Sequence, residues 1–132
     1  MKQSIGFFFL FFQLSCFLGQ AQDTFSIVAM DTVTGEVGSA GASCVDLFQT
    51  NFIDDSFLGE LFPAKGAINS QAYYLRSNQV NAQEKLIAGL KATDIINWLE
   101  TNDTEGKSSF RQYGIVTLIN GKVTTAAFTG DS

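Results

Sequence analysis

Alternation of apolar and polar residues predicts a β-strand that opens at Thr24. Phe25, Ile27 and Ala29 would lie on one face of this strand, because successive side chains of a strand point to opposite faces. Residues 31–36, DTVTGE, then favour a turn, since Asp and Gly are common in turns and glycine adopts positive φ without strain. These residues therefore predict the first arm and the turn of a β-hairpin.

The second arm of this hairpin carries almost only small side chains. A strand with so little side chain lets another backbone, a second sheet or a ligand approach unusually closely. Its two faces would be Gly38, Ala40, Ala42 and Cys44 on one side and Val37, Ser39, Gly41 and Ser43 on the other.

The next segment is predicted to be mostly loop, followed by a third strand. Residues 46–63 form the loop, with a short helix considered around residues 56–61. GAINSQAY, residues 66–73, reads as the strand and places Asn69 and Gln71 on one face, two residues apart. These two side chains would either orient a substrate amide or pair with a neighbouring loop, and the sequence leaves both open.

Two helices are predicted in the central region. Asn81, with Glu84 three residues later, makes a capping-box pattern that predicts the start of the first helix. Gly89 predicts its end in a left-handed cap. Thr93 is the predicted N-cap of the second helix. The buried face of that helix is predicted to contain Ile95, Ile96 and Leu99.

A second hairpin closes the predicted domain. Asn120-Gly121 is the preferred two-residue type I′ turn, and both flanking arms are rich in β-branched residues. Strands therefore flank a helical region, which predicts an α+β layered domain. The last arm runs to Thr129, and an end so soon after a strand predicts a domain truncated at its C-terminus.

The first 21 residues have the layout of a secretory signal peptide. Lys2 is followed by the apolar run from Ile5 to Phe12, and small residues precede the expected cleavage after Ala21. Residues 22–132 would then be one small exported domain, secreted or periplasmic. A retained membrane anchor is the alternative. Gln13, three residues before Cys16, argues against a lipoprotein signal.

Charge and composition exclude several classes of function. The net charge of −5 includes Lys2, the only charged residue of the signal peptide, so the exported domain is more acidic still. An acidic chain with no basic run is not expected to bind nucleic acid. The absence of histidine excludes a Ser-His-Asp triad and His-ligated zinc within this chain.

Cysteine and acidic residues give no firm ligand site. Cys44 is the only cysteine that remains after cleavage, and a buried thiol acting as a small apolar residue is favoured over a reactive or paired one. The acidic pairs Asp54-Asp55 and Asp103 with Glu105 are expected to be solvated loops, because a calcium site needs several converging oxygen ligands. No metal or cofactor is expected.

Four blocks of the sequence, in order, resemble the DUF1028 family, which is uncharacterised and assigned to the Ntn-hydrolase (N-terminal nucleophile) superfamily. They are TFSIVAMDTVTGEVGSAGASC, GAINSQAYY, LIAGLKATDIINWL and FRQYGIVTLINGKVTTAAFTGD. The resemblance covers nearly all of residues 24–131, and the family domain is longer than this chain. It implies an αββα sandwich, in which two antiparallel sheets face each other between helical layers.

This resemblance implies amide hydrolysis by an N-terminal residue. Thr24 would supply the nucleophilic hydroxyl, and its own α-amine, which titrates near ~8, would act as base. Cleavage after Ala21 leaves Gln22 and Asp23 ahead of it, so further trimming is required. In active relatives an acid ends the second strand and a lysine lies on the next, whereas the nearest charges here, Asp46 and Lys65, have a different spacing.

The remaining candidate site residues would form an oxyanion hole or bind the substrate. Backbone N–H groups near Gly41 to Ser43 would form an oxyanion hole, while packing between sheets is the simpler role of Ser43 and Cys44. Asn69 and Gln71 are candidates for substrate binding. The predicted partner is a small amide or peptide, of cell-wall origin in one reading, and a homo-oligomer is considered. The alternative function is a non-catalytic exported binding domain on the same scaffold.

Overall fold

The computed structural model describes residues 24–43 and 58–131. The predicted signal peptide, residues 1–21, and most of the predicted loop at residues 46–63 lie outside these ranges. The elements follow the chain as β1 (Phe25–Met30), β2 (Val37–Ala42), β3 (Glu60–Phe62), β4 (Gly66–Ala72), α1 (Arg76–Ile87), α2 (Ala92–Thr101), a 3₁₀ turn (Ser108–Phe110), β5 (Arg111–Ile119) and β6 (Lys122–Thr129). No helix in the described ranges is long and apolar enough to cross a membrane.

The strands form two antiparallel sheets. β1 and β2 make a two-stranded sheet, and the other sheet has four strands in the order β3-β4-β5-β6. With two helices beside them, the mixed α+β class is confirmed. β3 was predicted to be loop, with a short helix as the alternative, and both are wrong for residues 60–62. Pairing with β4 holds this short segment extended, and local sequence does not report that contact.

The first hairpin forms as predicted, and its turn is organised by Asp31. The Asp31 carboxylate accepts hydrogen bonds from the backbone N–H groups of Thr34 and Val33, at 2.8 and 2.7 Å. These bonds favour the ionised carboxylate and lower the pKa of Asp31. Gly35 adopts a φ of 73°, in the left-handed region that glycine enters without strain.

The small-residue strand β2 lies across from the four-stranded sheet. Ser39 Oγ on β2 donates a hydrogen bond to Asn69 Oδ1 on β4, at 2.8 Å. A Cβ added at Gly59 would overlap both of these side chains, so the close approach requires glycine there. Of the three neighbours considered for this strand, the structure shows a second sheet.

The helices pack on the other face of the four-stranded sheet. Alternation along β4 separates Asn69, which faces the hairpin, from Ile68, which faces the helices. The described layers are therefore hairpin, four-stranded sheet and helices. The buried cluster between sheet and helices contains Ile68, Ala82, Leu86, Ala92, Ile95, Ile96, Leu99, Tyr113 and Ile115.

The start of α1 was placed six residues too late, because the N-cap is Leu75 and not Asn81. Asn81 lies inside the helix, which begins at Arg76. The first turn is fixed by Asn78, a fully buried residue whose amide donates hydrogen bonds to Asp103 and to the hydroxyl of Tyr113. Such distant contacts override the local capping pattern.

The end of α1 is correctly predicted. Gly89 has a φ of 84°, and its N–H donates to the carbonyl of Leu86. The N–H of Leu90 donates to the carbonyl of Lys85 at 3.1 Å. This pair of bonds is the Schellman pattern, which satisfies carbonyls left over at a helix end.

The buried face of α2 is also correctly predicted, but its cap is not. Thr93 lies within the helix, which begins at Ala92. The Ala92 N–H donates instead to Thr124 Oγ1 on β6, at 3.1 Å. The cap is thus supplied by a strand more than 30 residues away. Asn120 and Gly121 have φ angles of 51° and 74°, as a type I′ turn requires.

Leu99, which is fully buried in α2, tests the contribution of the core to the free energy of unfolding. Replacing Leu99 with Ala should lower the free energy of unfolding by about 2–5 kcal/mol, because it removes buried methyl groups and leaves a cavity. Glu100→Ala, an exposed neighbour, should change it by less than about 0.5 kcal/mol. Urea unfolding followed by circular dichroism measures both. Equal losses in the two variants would contradict this description of the core.

Candidate active site

Thr24 and Ser43 meet at one end of the hairpin, facing the four-stranded sheet. The strand register pairs Phe25 with Ala42, so Thr24 and Ser43 occupy the next positions outward along the hairpin. Their hydroxyl oxygens lie 2.8 Å apart, within hydrogen-bond distance. Both residues are half-buried. Two of the predicted site residues are therefore in direct contact.

Gln71 connects Thr24 to the second sheet. Its amide Nε2 donates a hydrogen bond to the backbone carbonyl of Thr24, at 3.0 Å. Its Oε1 accepts a hydrogen bond from Ser26 Oγ, at 2.8 Å. Only 7% of Gln71 is exposed, so these bonds satisfy a buried amide and fix its orientation. Gln71 thereby holds the main chain of the candidate nucleophile.

The polar chain continues across the sheet to residues that sequence reasoning missed. Gln71 Nε2 also donates to Gln112 Oε1, and Gln112 Nε2 donates to Thr129 Oγ1 at 3.0 Å. Gln71 and Gln112 are cross-strand partners in the β4–β5 register. That register was the missing signal, because a sequence alone does not say which residues of separate strands lie opposite each other.

Asn69 shares a face with Gln71, as predicted, but makes a different contact. Its Oδ1 accepts the hydrogen bond from Ser39, and its Nδ2 is buried with no hydrogen-bond partner. Only 1% of the residue is exposed. Among the described residues, both side chains bind serines on the strands of the hairpin and neither pairs with a loop. Asn69 thus belongs to the contact between the two sheets.

The other predicted positions separate into three cases. Gly41 lies on the inward face opposite Ser26, and an added Cβ would approach the carbonyl of Phe25 to 3.1 Å. Cys44 lies outside the described residues, as does Asp46. Lys65 precedes β4, so it lies at the opposite end of that strand from Gln71. This lysine is therefore not part of the Thr24 site.

A second polar cluster lies at the same end of the sheet, on the helix side. Arg111, which is 3% exposed, donates through Nε to Asp103 Oδ2 at 2.8 Å and through Nη2 to Glu105 at 2.9 Å. The Arg111 guanidinium holds the pKa of Asp103 well below its usual range. Asp103 was expected to be solvated, and this is wrong, because its side chain is 98% buried against the arginine.

The Thr24 hydroxyl meets another neutral hydroxyl in the part of the chain that the structure describes. Among the described residues, the hydroxyl of Thr24 bonds to Ser43, which is neutral. No group of three or more acidic or cysteine side chains in the described part of the chain could hold a metal ion. No titratable side chain in residues 24–43 and 58–131 forms a hydrogen bond with this hydroxyl.

The fold and site define an α+β domain in which a two-stranded and a four-stranded sheet face each other over a threonine hydroxyl. A model of the family of unknown function DUF1028 matches residues 24–132. The chain belongs to this family. The match begins at Thr24 itself. Searches of curated proteins and of solved structures found no match.

The ion pairs of Arg111 should make the free energy of unfolding depend on pH in the acid range. Asp103→Asn would leave the buried guanidinium short of one carboxylate and should lower the free energy of unfolding by about 3 kcal/mol at pH 7. Because the pKa of Asp103 is lowered on folding, its contribution is complete above pH ~4 and is lost as the pH falls through the folded-state pKa.

Urea unfolding of both proteins between pH 7 and pH 3 measures this effect. The difference between them should begin to narrow below pH ~4, because Asp103 takes up a proton in the unfolded parent while it stays ionised in the folded parent. Glu84→Gln, on the exposed side of α1, is the matched control and should change the stability little. A constant difference at every pH would contradict the ion pair described.

Proposed function

We propose that this protein is an exported amidohydrolase of the N-terminal nucleophile type, with Thr24 as the nucleophile and a small amide or peptide as substrate. The observation that carries the proposal is the position of the Thr24 hydroxyl. It lies at the end of two facing sheets, 2.8 Å from Ser43, on a main chain held by Gln71. The described layers agree with three of the four layers of an αββα sandwich.

The reaction requires only groups that Thr24 itself carries once it is N-terminal. The α-amine takes the proton of the hydroxyl as Oγ1 attacks the carbonyl carbon of the substrate amide. The C–N bond then breaks, and the leaving amine takes that proton. Water hydrolyses the resulting threonine ester and restores the hydroxyl. No histidine is needed, in agreement with the composition.

Ser43 has a defined role in this scheme. When the Thr24 hydroxyl donates its proton to the amine, its oxygen accepts a hydrogen bond from Ser43 Oγ. This bond holds the attacking oxygen in one orientation. The backbone N–H groups of Gly41 and Ser43 are proposed as the oxyanion donors. Gln71 already donates to Thr24 and Gln112, so its role is positioning and not substrate binding.

The proposal requires removal of the residues before Thr24. While Asp23 remains attached, the nitrogen of Thr24 is an amide and has no basic lone pair. Signal-peptide cleavage after Ala21 would leave Gln22 and Asp23 in place, so a second cleavage, by this protein or by another peptidase, must follow. The start of the family match at Thr24 supports this boundary.

The first test compares the protein beginning at Thr24 with the form that retains Gln22 and Asp23. Only the first should hydrolyse a panel of N-acyl amides, and its kcat/KM should rise with pH through the α-amine pKa near ~8. Thr24→Ala should lower kcat by at least about 10³-fold. Thr32→Ala, an exposed threonine in the first turn, is the matched control and should leave kcat unchanged.

Two outcomes would oppose the proposal. Turnover by the form that keeps Gln22 and Asp23 would exclude the amine of Thr24 as base. A protein that binds an amide but hydrolyses none of the panel when Thr24 is N-terminal would instead be the non-catalytic binding domain. Mass spectrometry of the exported protein identifies which N-terminus it carries.

A second test concerns Ser43. Ser43→Ala should lower kcat about 10²-fold with little change in KM, because the attacking oxygen loses its hydrogen bond while the substrate contacts remain. Ser43→Thr retains a hydroxyl and should recover part of the activity. An equal fall in both variants, or a change confined to KM, would show that Ser43 acts through packing alone.

A further inference from the structure

Tyr73 is held in place through its backbone while its ring projects into solvent. Its N–H donates to the carbonyl of Phe110 at 3.2 Å, and its own carbonyl accepts a hydrogen bond from the buried guanidinium of Arg111. The residue is nevertheless 70% exposed. A large apolar ring fixed in water gains little from burial, so folding alone does not account for this arrangement.

The chain also accepts strain to turn Tyr73 outward. Ala72, the last residue of β4, has a φ of 66°, which is left-handed for a residue that carries a Cβ. That conformation costs roughly 1–2 kcal/mol relative to the right-handed one. Strained backbone of this kind is concentrated at ligand and active sites. Here it redirects the chain after Gln71, which binds Thr24.

Tyr73 and Phe110 form two walls of a cleft of about 250 Å³. Their ring centroids are 5.5 Å apart, and their planes meet at 77°. A third ring can stack on one of these faces while presenting its edge to the other, and both arrangements are favourable for aromatic groups. A cavity of about 150 Å³ already accepts benzene, so the space is sufficient.

The charges around the cleft favour a neutral occupant. Arg111 and Lys107 contribute two positive charges, and Glu105 with Asp103 contributes two negative ones. The guanidinium already donates to Asp103, Glu105 and the carbonyl of Tyr73. These four charges of the described residues cancel, so they favour neither an anion nor a cation.

The cleft lies at the same end of the four-stranded sheet as the candidate nucleophile. Tyr73 follows two residues after Gln71, and Arg111 directly precedes Gln112, the cross-strand partner of Gln71. A strand advances ~3.3 Å per residue, so the cleft begins within about two residues of the side chain that holds Thr24. The cleft and the Thr24 site therefore lie at the same end of β4 and β5.

We propose that the cleft between Tyr73 and Phe110 binds an aromatic side chain of the substrate, and so selects amides or peptides that carry an aromatic residue. The role of the cleft as a substrate subsite rests on the proposed hydrolase function. Its binding of an aromatic ring does not, and the two are tested separately.

The binding test uses Thr24→Ala protein, which cannot react, with N-acetyl-L-phenylalaninamide and N-acetyl-L-alaninamide as probes in an NMR titration. The phenylalanine probe should bind about tenfold more tightly and shift the amide signals of Tyr73, Lys107 and Arg111. Tyr73→Ala should abolish the difference between the probes. Val33→Ala, which truncates a 92% exposed apolar side chain elsewhere, should preserve it.

Equal affinities for the two probes in the Thr24→Ala protein, or shifts confined to other regions, would overturn the proposal. Both readings come from protein with Tyr73 intact, so they stand even where Tyr73→Ala fails to fold. Tyr73→Phe keeps the ring and should keep the preference.

A kinetic test on protein beginning at Thr24 separates this proposal from the hydrolase function. The parent should favour aromatic over alanine amides about tenfold in kcat/KM. Tyr73→Ala should remove this preference while turnover of the alanine amide continues. Turnover with no aromatic preference in the parent would overturn the cleft alone. Ring binding without any turnover would overturn the hydrolase and the subsite role together, and leave the aromatic site.

Discussion

Hydrogen bonds accepted by two buried amide oxygens govern how the hairpin sits on the sheet. Asn69 and Gln71 lie between the two sheets and accept hydrogen bonds from Ser39 and Ser26. Each bond contributes only about 1 kcal/mol net, but an orphaned amide would cost about 1–3 kcal/mol. The contact between the sheets is therefore polar and directional, where an apolar contact would tolerate sliding. The position of Thr24 follows from it, because Gln71 binds its carbonyl.

The same end of β4 and β5 carries two features on opposite faces. On the hairpin side, Gln71 and Gln112 hold Thr24; on the helix side, Arg111 and its carboxylates hold the backbone of Tyr73. Burial makes the second arrangement stiff, since a buried guanidinium is stable only with its partners in place. A site on rigid strands can position a substrate more closely than a site on loops. For a family without known function, this end of the sheet is where activity should be sought.

The sequence correctly predicted the features that depend on residues close together in the chain. The Gly35 and Asn120-Gly121 turns, the left-handed cap at Gly89 and the buried face of α2 were all correct, because each depends on residues close in the chain. The start of α1 was wrong because Asn78 binds residues 25 and 35 positions away. Arg111 and Gln112 went unrecognised for the same reason, since strand pairing decides which side chains they meet.

The inward direction of the Thr24 side chain depends on the alternation of side chains along β1. Thr24 and Ser26 point inward, while Phe25 and Ile27 point outward and are 67% and 65% exposed. A slip of β1 by one residue would exchange these sets and bury the phenylalanine where the hydroxyl now lies. The small side chains of β2 would resist such a slip only weakly. The hydrogen bonds of Ser26 and Ser39 to the four-stranded sheet therefore fix the strand register. Hairpin alignment and the inward position of the Thr24 hydroxyl are thus a single structural property of this domain.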